Sequence, residues 1–228
     1  MDPIRRLLKF LRPEAIPSLC APLYDRAARE FTPVFYKGFV EGVASRHPAR
    51  VLDIGTGPGY VPIGIAKLYN TEVVGIDLSE GMIALARENA WKERLGDRVR
   101  FEVGDGKDLR FEDGSFDMVV STATLHHWRR PVKVLNEGYR VLRPGGEFWI
   151  YDFCKDASRE DIARFLDFIF GHMAMGRMGR FLISFGINRE IRIDAYTLEE
   201  ARELCQRSMF GTGEVERDGP FMRLVLRK

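Results

Sequence analysis

The chain is poor in cysteine. Cys20, Cys154 and Cys205 are odd in number, far apart and never set in a C-x-x-C pair. That arrangement argues against a disulfide framework and a thiolate zinc site, so a reduced, cytoplasmic setting is expected. An excess of one charge is missing as well. Lys plus Arg total 35 against 33 acids, a net charge of +2, and no broad attraction to nucleic acid or anionic lipid follows. No apolar run approaches the roughly 20 residues of a membrane helix. The amino terminus, MDPIRRLLKFLRPEAIP, has basic residues without the apolar core of a signal peptide, and no membrane span is expected. Nor is there a Ser-His-Asp or Cys-His set at a telling spacing, an internal repeat, or a low-complexity linker. A chain of 228 residues then reads as one elaborated domain.

What is present is organised around RVLDIGTGPGYVPIGIA, from Arg50 to Ala66. Val51, Leu52 and Ile54 suit a buried strand, Asp53 interrupts it, and Gly55, Gly57 and Gly59 break it before a helical pattern resumes. Alternate glycines let a ligand approach main-chain atoms with no Cβ in the way. The G-x-G-x-x-G dinucleotide fingerprint is not met, because Tyr60 stands where the third glycine belongs. Asp53 would repel a pyrophosphate, yet it could pair with a cationic amino-acid portion of a ligand. A cationic ligand carrying an adenosine fits better than NAD.

The motif D-x-G-x-G-x-G after a strand resembles the first motif of class I S-adenosylmethionine-dependent methyltransferases, of the methyltransferase type 11-like kind. Four further stretches match in order: VVGIDLS (73–79), VRFEVGDG (99–106), FDMVVSTATLHHW (116–128) and VLRPGGEFWI (141–150). The resemblance implies an α/β fold, a doubly wound Rossmann-like sheet of seven mostly parallel strands that ends in an antiparallel hairpin. Read together with the residue pattern outside those stretches, the parts are N-terminal helices (1–49), a cofactor-binding core (50–153), a helical cap inserted after the fifth strand (154–195), and a last helix with the hairpin (196–228). The resemblance further implies S-adenosylmethionine as cofactor. Tyr24 would cover it, Asp105 would take the exocyclic amine of the adenine, and Met82 would lie under that ring. Thr56, Leu78, Gly104, Gly106 and Ser121 complete the implied contacts. Asp77 has a physical case of its own. It lies twenty positions after Gly57 at the end of a strand, where a carboxylate can accept from both ribose hydroxyls.

In chain order, Ile4 to Leu11 reads as a basic amphipathic helix and Tyr24 to Ser45 as a second helical segment. Strands are expected at 72–76 (with Asp77 at its end), 99–103, 116–121 and 147–152, with Ser79 capping a helix over Glu80 to Arg94 and Pro131 opening another. Beyond the fifth strand, Ser158 and Asp161 open a helix with an apolar face, Thr197 and Glu200 form a capping box, and 214–217 with 222–226 form the hairpin.

A sulfonium donor is already activated, so transfer needs mainly alignment, and no metal is required in principle. The N-P-P-Y type loop of amino-group methylation is absent, and STATLHH stands in its place. His126 and His127 could act as general base, or could serve packing or a backbone hydrogen bond. Phe165, Phe168, Phe170, Met173, Met175, Met178, Phe181 and Phe185 are too apolar for a solvated loop. They suggest a methionine-rich lid over a small apolar or aromatic acceptor, with a homodimer contact through 158–193 as the rival use. A non-catalytic ligand-binding protein and an NAD-dependent oxidoreductase are the alternatives, and unpaired cysteines make arsenite methylation a poor match.

Overall fold

The structure is a computed structural model that describes residues 21–172 and 176–228. The helix expected at Ile4 to Leu11, Cys20, Met173 and Met175 lie outside the described residues. Helices α1 (Ala21–Phe35) and α2 (Lys37–Ala44) open the described chain. They replace the one helix expected, because the backbone leaves helical geometry at Tyr36 (φ −88°, ψ 9°). The break lets α2 bury Phe39, Val40 and Val43 while α1 ends on Phe35. That ring meets Phe165 and Phe221 at centroid distances of 5.2 and 4.6 Å.

The core follows as β1 (Arg50–Ile54), α3 (Tyr60–Leu68), β2 (Glu72–Asp77), α4 (Glu80–Lys92), β3 (Val99–Val103), β4 (Phe116–Thr122), α5 (Pro131–Val141) and β5 (Leu142–Phe153). Then come α6 (Arg159–His172), α7 (Arg177–Arg189), a π-helical turn (Glu190–Asp194), α8 (Leu198–Arg207), β6 (Glu214–Asp218) and β7 (Phe221–Arg227). The seven strands lie in the order β3-β2-β1-β4-β5-β7-β6. The first five pair in parallel, and β7 enters antiparallel between β5 and β6. Both faces of the central strands are covered. Leu52, Ile54, Val119 and Phe148 pack towards α5 and α8, and Val51, Val73, Met118 and Val120 pack towards α2, α3 and α4. That double burial explains why β1 and β4 are apolar along their length.

Helix starts follow their local chemistry. The Thr197 hydroxyl accepts from Glu200 N (3.0 Å) while the Glu200 carboxylate accepts from Thr197 N (3.0 Å), satisfying two orphan donors of α8. Ser158 and Asp161 do the same at α6. The strand expected from Glu147 is longer, because Pro144-Gly145-Gly146 is not a free turn. Gly145 N donates to Lys228 O (2.9 Å) and Lys228 N to Gly146 O (3.0 Å), which carries β5 back to Leu142 through a bulge opposite Asp117. No helix separates β3 from β4. The connecting loop is held instead by Arg140, whose guanidinium donates to Leu109 O and Phe111 O, both at 2.7 Å.

The sheet order reverses between β1 and β4, and the crevice outside their carboxyl ends is where open α/β sheets take ligands. The cap forms its roof. Phe153, Ile162, Phe165, Ile169 and Phe221 make a separate buried cluster, each side chain contributing about 1.5–3 kcal/mol.

Candidate active site

A cavity of about 440 Å³ occupies that crevice, within the usual range for a small-molecule pocket. One end is walled by the glycine turn after β1, the acids ending β2 and β3, and α1. The other end reaches the loop after β4 and the cap.

The turn after β1 is built for close approach. Gly57 has φ +53°, and a Cβ added there would meet only the Tyr24 ring, at 3.9 Å; the missing side chain leaves the cavity open. Gly59 differs. It has φ +83°, and its Cβ would strike Phe101 at 2.6 Å and Ala86 at 3.0 Å. Gly59 does not line the cavity; it lets the turn sit on β3 and α4. Thr56 and Gly55 are on the lining.

Asp77 lies at the floor. Its Oδ2 accepts from Gly57 N (3.0 Å) and its Oδ1 from Ser79 N (2.9 Å). Each oxygen keeps a lone pair for a further donor. Burial raises its pKa and these amides oppose the rise. Leu78 and the fully buried Met82 stand beside it. Asp105 closes a turn, its Oδ1 accepting from Lys107 N (2.9 Å), and lines the cavity with Gly104 and Gly106. Turn former and cavity wall are thus one residue.

Tyr24 lines the cavity and is 42 % exposed. Its neighbour Asp25 fixes α1 in place, accepting from the Tyr60 hydroxyl (2.8 Å) and from Asn89 Nδ2 (3.0 Å). Asn89 also donates to Pro58 O (3.0 Å). Helix α1, the glycine turn and α4 are tied through that pair.

Two expected contacts lie behind the wall. Ser121 is fully buried in β4, and its hydroxyl donates to Ile54 O (2.7 Å); Thr122, Ala123 and Thr124 line the cavity in its place. Asp53 is 1 % exposed and off the lining. Neither carboxylate oxygen has a hydrogen-bond partner, although the Thr56 hydroxyl is near enough to ease its ionisation. Burial pushes its pKa up to about 7, and the Asp77 charge adds to the rise. An orphaned carboxylate under a turn open to a ligand is a fit for a cationic group above it.

At the far end, Ala123 takes a left-handed conformation (φ 52°), which folds the chain back over the end of β4. The short helical turn Leu125–His127 follows. His126 is buried, and Asp152 holds it twice. Asp152 Oδ2 accepts from His126 N (3.1 Å), and Oδ1 lies 2.6 Å from the ring Nδ1. His127 lies against it, ring centroids 4.0 Å apart. Glu190, at the head of the π turn, completes this end. Desolvation raises its pKa, opposed by His126.

The cap's contribution differs from the expectation. Phe165, Ile169, Ile183 and Ile187 face the cavity, while Met178, Phe181 and Phe185 are exposed. The turn of α7 explains it: 183, 187 and 190 form one stripe, and 178, 181, 182 and 185 the opposite one. Sequence reasoning missed Asp152, Glu190 and the isoleucines. Asp152 did leave a signal, as one acid inside the apolar run FWIYDF; Glu190 left none.

Comparisons with known proteins bear on the domain and the fold. Residues 52–150 match the family described as "Methyltransferase domain". The 27-O-demethylrifamycin SV methyltransferase of Amycolatopsis mediterranei is 40 % identical over 104 residues, 46 % of this chain and 38 % of that protein. The chain spans about a quarter to a half of the length of such curated relatives. A Methanococcus maripaludis protein, provisionally assigned as an S-adenosyl-L-methionine-dependent methyltransferase, shares the fold with TM-score 0.66 at 20 % identity, covering 95 % of this chain and 94 % of that one. Phosphoethanolamine N-methyltransferase 2 of Haemonchus contortus, solved with phosphomonomethylethanolamine and S-adenosylhomocysteine, gives TM-score 0.54 at 29 % identity over 73 % of this chain and 34 % of that one. Over residues 52–150, with its ordered motifs on the strand ends that line one cavity, the chain is similar to class I S-adenosylmethionine-dependent methyltransferases.

Proposed function

We propose that the protein transfers a methyl group from S-adenosylmethionine to a small, largely apolar or aromatic acceptor. The observation that carries this reading is the continuity of one cavity, from Asp77 and Asp105 to an apolar chamber under the cap. The bound sulfonium would supply an activated methyl group. Asp77 accepts from the ribose hydroxyls, Asp105 from the adenine amine, and Asp53 balances the ammonium group from behind the turn. Phe153, Phe165, Ile169, Ile183 and Phe221 would hold the acceptor and exclude water. With Asp152 on Nδ1 of His126, that nitrogen keeps its hydrogen and Nε2 carries the lone pair, the atom that a proton or a cation would meet.

A phosphorylated acceptor, like that of the nematode enzyme, would call for cations. Among the described lining residues Lys107 is the sole Lys or Arg, and its ammonium lies 3.5 Å from Asp105. That observation favours the apolar class.

Calorimetry with S-adenosylhomocysteine tests the cofactor half. Hydrogen bonds to a charged group are worth about 1.5–3 kcal/mol each, so Asp77→Ala should weaken binding at least about tenfold. Asp105→Asn should weaken it less than Asp105→Ala. Unchanged affinity in Asp77→Ala would remove the assignment. Labelled methyl transfer into a panel of phenols, thiols and amines then tests turnover. Tight binding with no product from any extract would favour a non-catalytic binder, and heat with NAD alone an oxidoreductase.

A further inference from the structure

We propose that His126, His127 and Glu190 form a site for one divalent transition-metal ion inside the cavity, with Asp152 as the outer carboxylate that orients His126. One ligand atom from each of the three lies within 4.8 Å of the other two. Donors around a zinc-sized ion, at bonds of about 2.0–2.1 Å, stand roughly 3.3 Å apart. The trio reaches that spacing by closing up to roughly 1.5 Å from the observed limit of 4.8 Å. The Asp152 contact at Nδ1 (2.6 Å) gives His126 the tautomer a metal needs, its lone pair on Nε2. Backbone support is equally specific. The left-handed Ala123 turns the histidines towards the chamber, and the π turn at Glu190–Asp194 is the kind of helix irregularity that accompanies functional sites. Glu190 shares the cavity lining with Ile183, Ile187 and Phe165, where a carboxylate calls for a cation or a proton.

Two imidazoles and one carboxylate suit Zn²⁺, Fe²⁺ or Co²⁺, whereas Mg²⁺ and Ca²⁺ prefer oxygen shells. Three protein ligands leave a coordination position open to the chamber. Resting on the methyl-transfer reading, that position would take the hydroxyl or thiol of the acceptor and lower its pKa, its proton leaving to solvent. The acceptor's lone pair then forms the bond to the methyl carbon as the carbon–sulfonium bond breaks, leaving a neutral thioether. In this arrangement the Nε2 lone pair of His126 holds the metal and is not the base.

Metal-stripped full-length protein titrated with Co²⁺, followed by visible absorption, is expected to bind one equivalent, displaced by Zn²⁺. Glu190→Gln and His127→Asn should each weaken binding at least about tenfold, and Asp152→Asn about 10- to 100-fold. Circular dichroism on these variants checks the fold, which His126→Ala could lose. No cobalt absorption at millimolar metal, or absorption unchanged in both Glu190→Gln and His127→Asn, overturns the site. S-adenosylhomocysteine calorimetry on the same sample separates the two readings. Nucleoside binding without cobalt binding overturns the metal site alone. Cobalt binding without nucleoside binding overturns the transfer reading and keeps the site.

Discussion

Asp53 is a carboxylate walled off from water with no hydrogen-bond partner. Its folded pKa of about 7 lies above the ordinary 3.8, so at pH 6 the free protein holds a proton there that an unfolded chain would release. The contribution to stability is therefore full below about pH 4 and is lost as pH rises to about 7. A ligand ammonium above the turn draws that pKa down. Binding of S-adenosylhomocysteine at pH 6 should release up to about one proton, and at pH 8 none. Calorimetry in buffers of different ionisation enthalpy measures the release, and Asp53→Asn should abolish the buffer dependence. Heat independent of buffer in the native protein at pH 6 would remove Asp53 from the site. Gly59 is a structural counterpart. Gly59→Ala adds a Cβ against Phe101 at φ +83° and should cost about 2 kcal/mol, lowering Tm by roughly 4–8 °C. Its nucleoside affinity should fall less than that of Asp77→Ala; the opposite order would make Gly59 a ligand contact. Asp77 was legible in sequence from its position at a strand end, and Asp105 from the resemblance carried by the stretch VRFEVGDG. Asp53 was legible as a charge, but its seclusion depends on strands β2 and β4 beside it.

Among the elements, α7 was the least legible. Its apolar content showed that it must face something, but composition does not say which stripe faces which neighbour. Ile183 and Ile187 turn to the cavity, while Met178, Phe181, Leu182 and Phe185 are 59–70 % exposed. A homodimer contact through 158–193, the rival use of this segment, would have to lie on this outer stripe. Sedimentation should then give a dimer, and Phe181→Asp with Phe185→Asp should dissociate it while nucleoside binding persists. Limited proteolysis near Gly176 to Arg180 should be slow in the dimer and fast in the variant. A native monomer at about 100 μM, weaker than interfaces of standard size support, would end the idea. Strands were far more legible. β3 appears where its alternation placed it, and β4 is only one residue longer than expected; β5 outgrew its expected start because the Pro-Gly-Gly turn pairs with Lys228, a contact some eighty residues distant.

At the scale of the whole molecule, near-balanced charge gives no polyanion footprint. Fluorescence anisotropy with labelled single- and double-stranded RNA and DNA should show no binding at physiological salt; micromolar affinity would move the acceptor class to nucleic acid. None of the described helices is long and apolar enough to cross a membrane. The doubly wound order of the sheet was legible because strand and helix periods alternate through the first half of the chain. The partnership of β5, the loop after β4 and the π turn was not, since three segments with no common pattern meet only when the sheet closes. One consequence follows from the two stripes of α7. A single helix is the inner wall of the chamber and, on its other side, an outer apolar surface, with one backbone between them. Whatever docks outside and whatever fills the chamber then share a wall, and if either shifts that wall, linkage makes the effect reciprocal, by the same factor in both directions. If two copies meet on that outer stripe and the wall moves, acceptor affinity would change with protein concentration.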